Sequence, residues 1–100
     1  MQRRVQIAEL RPECRQEYIE AHKAVWPELL ARYNEIGCSK ITCHLHGNTL
    51  IVVTEAEDLD AVTAALAIDE IDARWQAWMA TLRPAHNPFT HAENVFEVVF

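Results

Sequence analysis

The sequence predicts an α+β protein with a ferredoxin-like, split-βαβ arrangement, in which an antiparallel sheet carries its helices on one face. Three observations lead to this fold class. The predicted elements follow the order strand, helix, strand, strand, helix, strand; a Gly47-Asn48 pair joins the two middle strands; and half of the 100 residues are hydrophobic, enough for a core. Two glycines and four prolines are too few for a linker, so residues 1–100 are expected to form a single domain.

The first third of the chain predicts a strand and an interrupted helix. Residues 4–10 alternate in part between apolar and other side chains, as in a strand whose two faces are both partly covered. A helix is expected from Pro12, whose missing N–H is harmless in a first turn, to Ile36, with Gly37 as its stop. Pro27 lies inside that helix and removes a backbone hydrogen bond, so the helix is expected to bend or break there.

The remainder predicts a hairpin, two short helices and a last strand. The β-rich runs at 40–46 and 49–55 flank the glycine-containing turn and form the hairpin. Asp58 and Asp69 are each expected to cap a helix, because aspartate accepts hydrogen bonds from the free N–H groups of a first turn. Residues 94–100 are expected to form the closing strand.

The sheet face away from the helices is expected to be covered by a second copy of the chain. The runs Leu50–Val53 and Val95–Phe100 place apolar side chains there that are hard to leave in water. Two sheets stacked face to face would bury them, so a twofold homodimer, a dimeric α+β barrel, is predicted.

Composition excludes several classes of partner. A net charge of −6 without a basic cluster argues against nucleic acid. No apolar stretch reaches the roughly 18 residues of a membrane span, and the opening residues lack the apolar segment of a secretory signal. The three cysteines, Cys14, Cys38 and Cys43, are odd in number and lack C-x-x-C spacing, which favours reduced thiols in the cytoplasm over a disulfide or zinc framework.

Tyr18 and His22 are the first candidates for chemistry. Four residues apart on a helix, they project side by side from an otherwise apolar stripe, and both carry polar atoms that need partners. One interpretation is a core histidine with satisfied hydrogen bonds and a tyrosine at the helix edge. The other is a pocket between helix and sheet in which His22 transfers protons, since imidazoles titrate near neutral pH.

Three tryptophans supply a second candidate group. Trp26 precedes Pro27, and Trp75 and Trp78 follow one another at helical spacing. Residues of this kind commonly form a core, but facing one sheet they would also form an aromatic wall, which stacks well on the C–H-rich face of a sugar. A small carbohydrate is therefore a candidate ligand.

Other reactive patterns are weak. His44 and His46 share a face of one strand, but no third metal ligand is apparent, so a surface or interface pair is favoured and no metal site is predicted. The sequence has neither a G-x-S-x-G nucleophile motif nor a glycine-rich phosphate loop.

The segment LRPECRQEYIEAHKAVWPEL, residues 10–29, resembles the L-rhamnose mutarotase family, whose first helix carries E-Y-x-x-x-H-x-x-[VI]-W-P-E-L after a strand ending in L-x-P. Arg74-Trp75 with Met79 and Pro84 resembles that family's R-W-W-x-x-M segment and the proline after it. The closing Val95-Phe96 resembles its last strand, so the likeness extends over nearly the whole chain.

The resemblance implies a dimeric ferredoxin-like fold and the interconversion of the α and β anomers of a 6-deoxy sugar, most directly L-rhamnose, without a cofactor. It implies that His22 is the proton donor, that Tyr18 contacts the sugar and that Trp75 forms part of the pocket wall. Trp26 is expected to contact the substrate beside them. Gln76 replaces the family's second tryptophan, and L-fucose is therefore an alternative substrate.

The chemistry of mutarotation suits these residues independently. Opening a hemiacetal adds a proton to the ring oxygen and removes one from the anomeric hydroxyl, and a group that is both acid and base near pH 7 serves both directions. Two other functions stay open: a monooxygenase or haem-handling protein of the same dimeric shape, and a non-catalytic sugar-binding or dimeric regulatory module.

Overall fold

The computed structural model describes residues 1–100 and contains one four-stranded sheet and four α-helices. In chain order the elements are β1 (Gln2–Glu9), α1 (Arg15–His22), α2 (Pro27–Glu35), β2 (Cys38–His46), β3 (Thr49–Ala56), α3 (Leu59–Leu66), α4 (Glu70–Thr81) and β4 (Thr90–Ala92), with a 3-10 turn at Pro12–Cys14. The strands lie in the order β2-β3-β1-β4 and every neighbouring pair is antiparallel. This confirms the predicted α+β, ferredoxin-like fold.

The helix predicted over residues 12–36 is two helices in the structure. The chain leaves α1 after His22, and Trp26 is extended, with φ −53° and ψ 126°, because a residue before proline is sterically excluded from the helical region. Pro27 then starts α2, where its missing N–H costs nothing. The interruption at the proline is thus a complete break.

Local polar signals at the hairpin and the helix starts are confirmed. Gly47 forms the turn between β2 and β3 with φ +60°, a left-handed conformation that glycine adopts without strain. The Asp58 side chain accepts from the Ala61 N–H at 3.1 Å and starts α3. The Asp69 side chain accepts from the Asp72 N–H at 2.8 Å and starts α4.

The last strand lies elsewhere than predicted. The pairing segment is Thr90–Ala92, which lies beside Val5–Ile7 of β1, whereas residues 94–100 form no strand and are exposed. Their β-branched and aromatic side chains favour extended backbone, but a strand also needs a neighbouring edge to pair with, and the observed pairing with β1 involves only residues 90–92. Within this tail, residues 94–100, Glu97 forms a salt bridge of 3.6 Å with Arg3 of β1.

The strand register divides the sheet into two faces. Ala8, Leu50 and Thr54 are buried beneath the helices. The opposite face, called the open face below, carries the half-buried pairs Val5–Val53 and Ile7–Ile51. Around them lie the polar side chains of the open face: Arg3, Lys40, Thr42, His44, His46, Thr49 and Glu55.

His44 and His46 both lie exposed on the open face of β2. The Nε2 atom of His44 lies 3.0 Å from the Thr42 hydroxyl oxygen. No group of three or more His, Cys, Asp or Glu side chains comes together with the geometry of a metal site. No helix has the length and apolarity that a bilayer crossing requires.

Candidate active site

A cavity of about 570 Å³ lies between the helices and the sheet, within the size range of small-molecule sites. Three of the four predicted site residues, Tyr18, His22 and Trp75, line it. A smaller cavity of about 320 Å³ at the edge of α1 is also lined by Tyr18 and His22, so the pair forms a shared wall between the two cavities. The pair is therefore accessible from a void and is not sealed in hydrocarbon.

The imidazole of His22 is oriented by its own helix. Its Nδ1 atom lies 2.8 Å from the backbone carbonyl oxygen of Tyr18, and its ring stacks on the Tyr18 ring with centroids 4.1 Å apart. A carbonyl oxygen has no proton to give, so Nδ1 must carry the hydrogen and donate it. In the neutral ring Nε2 then holds the free lone pair, and no protein group hydrogen-bonds to it.

Tyr18 contributes a neutral phenol to the same wall. It is only 5% exposed, and burial, with a smaller contribution from the neighbouring Cys43 thiol, raises its pKa far above the ordinary value of 10.0. The hydroxyl therefore remains protonated at physiological pH and is available to donate or accept a hydrogen bond. Burial likewise raises the pKa of the Cys43 thiol, which keeps it protonated.

The three tryptophans form a packed aromatic cluster, of which Trp75 lines the cavity and Trp26 and Trp78 lie behind it. The Trp75 ring is nearly perpendicular to the His22 ring, at a centroid distance of 5.4 Å, and to the Trp26 ring, at 5.1 Å. Trp26 packs against Trp75 and is not among the residues that line the cavity, so its predicted contact with substrate stays a prediction. Trp78 stacks at 6.3 Å on Trp26 and donates its indole N–H to Glu17 at 2.9 Å.

Sequence reasoning missed a cation beside Tyr18. Arg83 follows α4 and lines the cavity, with its guanidinium carbon 4.6 Å above the Phe89 ring, which also lines it. Burial lowers the pKa of Arg83 from its ordinary value. Nothing local in the sequence marks this residue, because the loop that carries Phe89 reaches it only after folding.

A second missed group makes one end of the cavity polar. The Tyr33 hydroxyl donates to Asp72 Oδ1 at 2.7 Å, and the Gln76 amide donates to the same oxygen at 3.3 Å. Arg4 donates from Nη1 to the Thr63 hydroxyl at 2.8 Å. All five residues line the cavity. Gln76, which replaces a tryptophan of the pattern noted above, is thus tied to a buried carboxylate.

This arrangement places an imidazole next to a pocket lined by hydrogen-bonding groups. His22 presents an Nε2 atom without a protein partner while its Nδ1 is held by the Tyr18 carbonyl, Tyr18 presents a neutral hydroxyl, and Trp75 presents an apolar surface. Such a set suits proton transfer to and from a small polyhydroxylated molecule.

Known proteins resemble this chain over nearly its whole length. A family model described as L-rhamnose mutarotase matches residues 3–100. An L-rhamnose mutarotase of Shigella dysenteriae is 28% identical over 102 residues, covering 100% of this chain and 97% of the relative. An L-rhamnose mutarotase of Pectobacterium carotovorum is 26% identical over 102 residues, with the same coverage of both chains.

Solved structures share the fold. The crystal structure of an L-rhamnose mutarotase from Formosa agariphila superposes with a TM-score of 0.82 at 24% identity, covering 99% of this chain and 100% of that one. An antibiotic biosynthesis monooxygenase superposes with a TM-score of 0.64 at 13% identity, covering 94% and 99%. At these identities the likeness concerns the fold alone, and the second neighbour illustrates that one fold serves several chemistries.

Proposed function

The chain belongs to the L-rhamnose mutarotase family, and on that premise we propose that it interconverts the α and β anomers of a 6-deoxy aldose, with L-rhamnose as substrate. The family assignment confirms the predicted enzyme class, an isomerase. The observation that carries the proposed mechanism is the orientation of His22, whose Nδ1–H is held by the Tyr18 carbonyl while Nε2 is left without a protein partner.

In the proposed mechanism His22 acts as the acid that opens the ring. The protonated imidazole donates from Nε2 to the ring oxygen as the bond from that oxygen to the anomeric carbon breaks, and the anomeric hydroxyl releases its proton to water. The neutral ring that results keeps its Nδ1–H on the Tyr18 carbonyl, so Nε2 is the nitrogen that takes the proton back on reclosure. Rotation about the bond to the aldehyde carbon before reclosure gives the other anomer.

The neighbouring side chains bind the sugar in this proposal. Tyr18 holds a sugar hydroxyl with its neutral phenol, and Trp75 packs against a C–H-rich face of the ring. Trp26 supports the Trp75 ring from behind, because it packs against that ring and does not line the cavity. No cofactor is required, since the ring opens and recloses by proton transfer with no net oxidation or reduction of the sugar.

L-fucose is the second candidate substrate, and Gln76 is the specific observation in its favour. An amide hydrogen-bonded to Asp72 replaces an indole in the cavity wall, which changes both the shape and the polarity that the sugar meets. Each anomer-exchange measurement therefore includes L-fucose beside L-rhamnose.

The direct test is saturation-transfer NMR of anomer exchange with purified protein. We expect exchange of at least one of the two sugars to be accelerated, and the His22→Ala variant to lose this acceleration by about 100-fold or more, as for removal of a general acid. His91→Ala, which removes an exposed imidazole on β4, is the matched control and keeps full activity. Exchange that persists in the His22 variant would remove this residue from the mechanism, and no acceleration of either sugar would contradict the function.

We also propose that the active form is a cytoplasmic homodimer. The cysteine pattern supports the compartment. The apolar pairs at the centre of the open face and the exposed apolar tail support the dimer, because two such faces stacked together would remove both from water.

A further inference from the structure

The cavity that His22 lines has a polar end, which lies one row of inward-facing side chains further along the sheet. Cys43 and Val52 pair beneath Tyr18, whereas Arg4 and Thr54 pair in the next inward-facing row. Because residues in a strand rise about 3.3 Å each, two such rows lie about 7 Å apart. A single pyranose ring with its hydroxyl groups is able to span that distance.

Asp72 supplies the acceptor at this polar end. It is only 7% exposed, yet it lines the cavity. Both of its side-chain hydrogen bonds, from Tyr33 and from Gln76, end on Oδ1, so Oδ2 has no partner in the chain. Oδ2 is not one of the fully buried unpaired atoms, so it keeps accessible surface and is able to accept a hydrogen bond from a ligand hydroxyl.

Arg4 supplies the donor. Its Nη1 bonds to Thr63 and fixes the guanidinium against α3, while Nη2 makes no hydrogen bond within the chain. Arg4 lies in the same inward-facing row as Thr54, whose side chain also lines the cavity. A charged acceptor and a charged donor in one cavity are suited to bind adjacent hydroxyl groups, each of which both donates and accepts.

We propose that Asp72 and Arg4 form a diol-binding subsite for the edge of the sugar ring opposite its anomeric carbon. With the anomeric carbon at His22, the hydroxyls at C3 and C4 point to the polar end, one of them donating to Asp72 Oδ2 and one accepting from Arg4 Nη2. This placement rests on the proposed function, which puts C1 at His22. Tyr33 and Gln76 are positioning residues, since they hold the carboxylate through Oδ1.

The test compares Asp72→Asn with Glu70→Gln by anomer-exchange NMR at increasing sugar concentration. The asparagine oxygen still accepts from Tyr33, while its NH2 group replaces the free acceptor Oδ2 with a donor. Loss of a hydrogen bond to a charged group corresponds to about a 10- to 100-fold rise in KM with a smaller change in kcat. Glu70 is an exposed acid in the same first turn of α4, so its variant keeps both constants.

Sugar analogues make the assignment specific. The unmodified enzyme should lose about 10- to 100-fold in kcat/KM towards the 3-deoxy or the 4-deoxy sugar. For the analogue that lacks the hydroxyl bound by Asp72, the Asp72→Asn variant should show no further loss. An Arg4→Met variant repeats the comparison for the other hydroxyl if the first variant fails to fold. Equal discrimination in unmodified and variant enzymes would overturn the subsite.

Binding measured by calorimetry separates this inference from the proposed function. If the protein binds L-rhamnose or L-fucose without exchanging its anomers, the function fails, but weaker binding by Asp72→Asn still supports the subsite. If anomer exchange proceeds and the variant has unchanged KM and analogue preference, the function stands and the carboxylate has only a structural role between α2 and α4.

Discussion

The Nδ1 atom of His22 lies 2.8 Å from the backbone carbonyl oxygen of Tyr18, one turn earlier on α1. Because Tyr18 lies four residues before His22, its carbonyl oxygen is within reach of an imidazole that turns back along α1. The contact selects one of the two neutral forms of the imidazole, because a carbonyl oxygen accepts only from a nitrogen that carries a hydrogen.

The first prediction concerns that selection. In 15N-labelled protein, the neutral form of the His22 ring should show a protonated Nδ1 and an unprotonated Nε2 in long-range 15N–1H correlation spectra. Free histidine prefers the opposite form, and exposed His91 serves as the internal comparison. A His22 signal with its proton on Nε2 would contradict the proposed direction of proton transfer.

The second prediction uses the only two tyrosines, Tyr18 and Tyr33. Burial is the main cause that raises the pKa of both phenols above the ordinary value of 10.0. The second cause is the nearby Cys43 thiol for Tyr18 and the hydrogen bond to Asp72 for Tyr33. The folded state then keeps both phenols protonated while the unfolded state ionises. Their contribution to stability is complete below pH 10 and is lost as the pH rises beyond it.

Tyrosinate absorbance should therefore stay below one tenth of its full amplitude at pH 10.0, where an ordinary phenol is half ionised, and rise together with loss of the circular dichroism of the fold. Tyr33→Phe is the control, in which the final amplitude halves. Reversible ionisation of either phenol near pH 10 in folded protein would contradict the raised pKa and the burial that causes it.

The third prediction compares adjacent leucines on α2. Leu29 is fully buried with 0% exposure, whereas Leu30 is 53% exposed. Replacing Leu29 by Ala removes buried methyl groups and leaves a cavity, which costs about 2–5 kcal/mol of unfolding free energy. The Leu30→Ala change should cost less than about 1 kcal/mol. Urea unfolding of both variants checks the difference, and equal midpoints would contradict the orientation of α2.

Those parts of the fold that depend on neighbouring residues were predictable from the sequence. The caps at Asp58 and Asp69 and the turn at Gly47 each act over three or four residues, and the structure has them where expected. The pairing of Tyr18 with His22 belongs to the same class, because helical spacing alone brings them together.

Features that depend on distant contacts were not predictable in this way. The polar end of the cavity joins Arg4 of β1, Tyr33 of α2 and Asp72 of α4, and only the strand register and the docking of two helices bring them to one place. The last strand was misplaced for a related reason: propensity favoured residues 94–100, but a ladder forms only where an edge is available, and that edge pairs with 90–92.

The fourth prediction concerns the proposed dimer. Ile51 lies on the open face, paired with Ile7, at the centre of the apolar patch that a second subunit would cover. In a twofold interface an Ile51→Glu change places a carboxylate on both sides, which costs about 2 kcal/mol per subunit or more because each charge loses water without gaining a partner. Sedimentation equilibrium should show a dimer for the unmodified protein and a monomer for this variant.

The control is Ile68→Glu, which makes the same chemical change outside the sheet, at a position 86% exposed between α3 and α4, and should stay dimeric. A monomeric unmodified protein would contradict the dimer, and a dimeric Ile51 variant would place the interface on another surface.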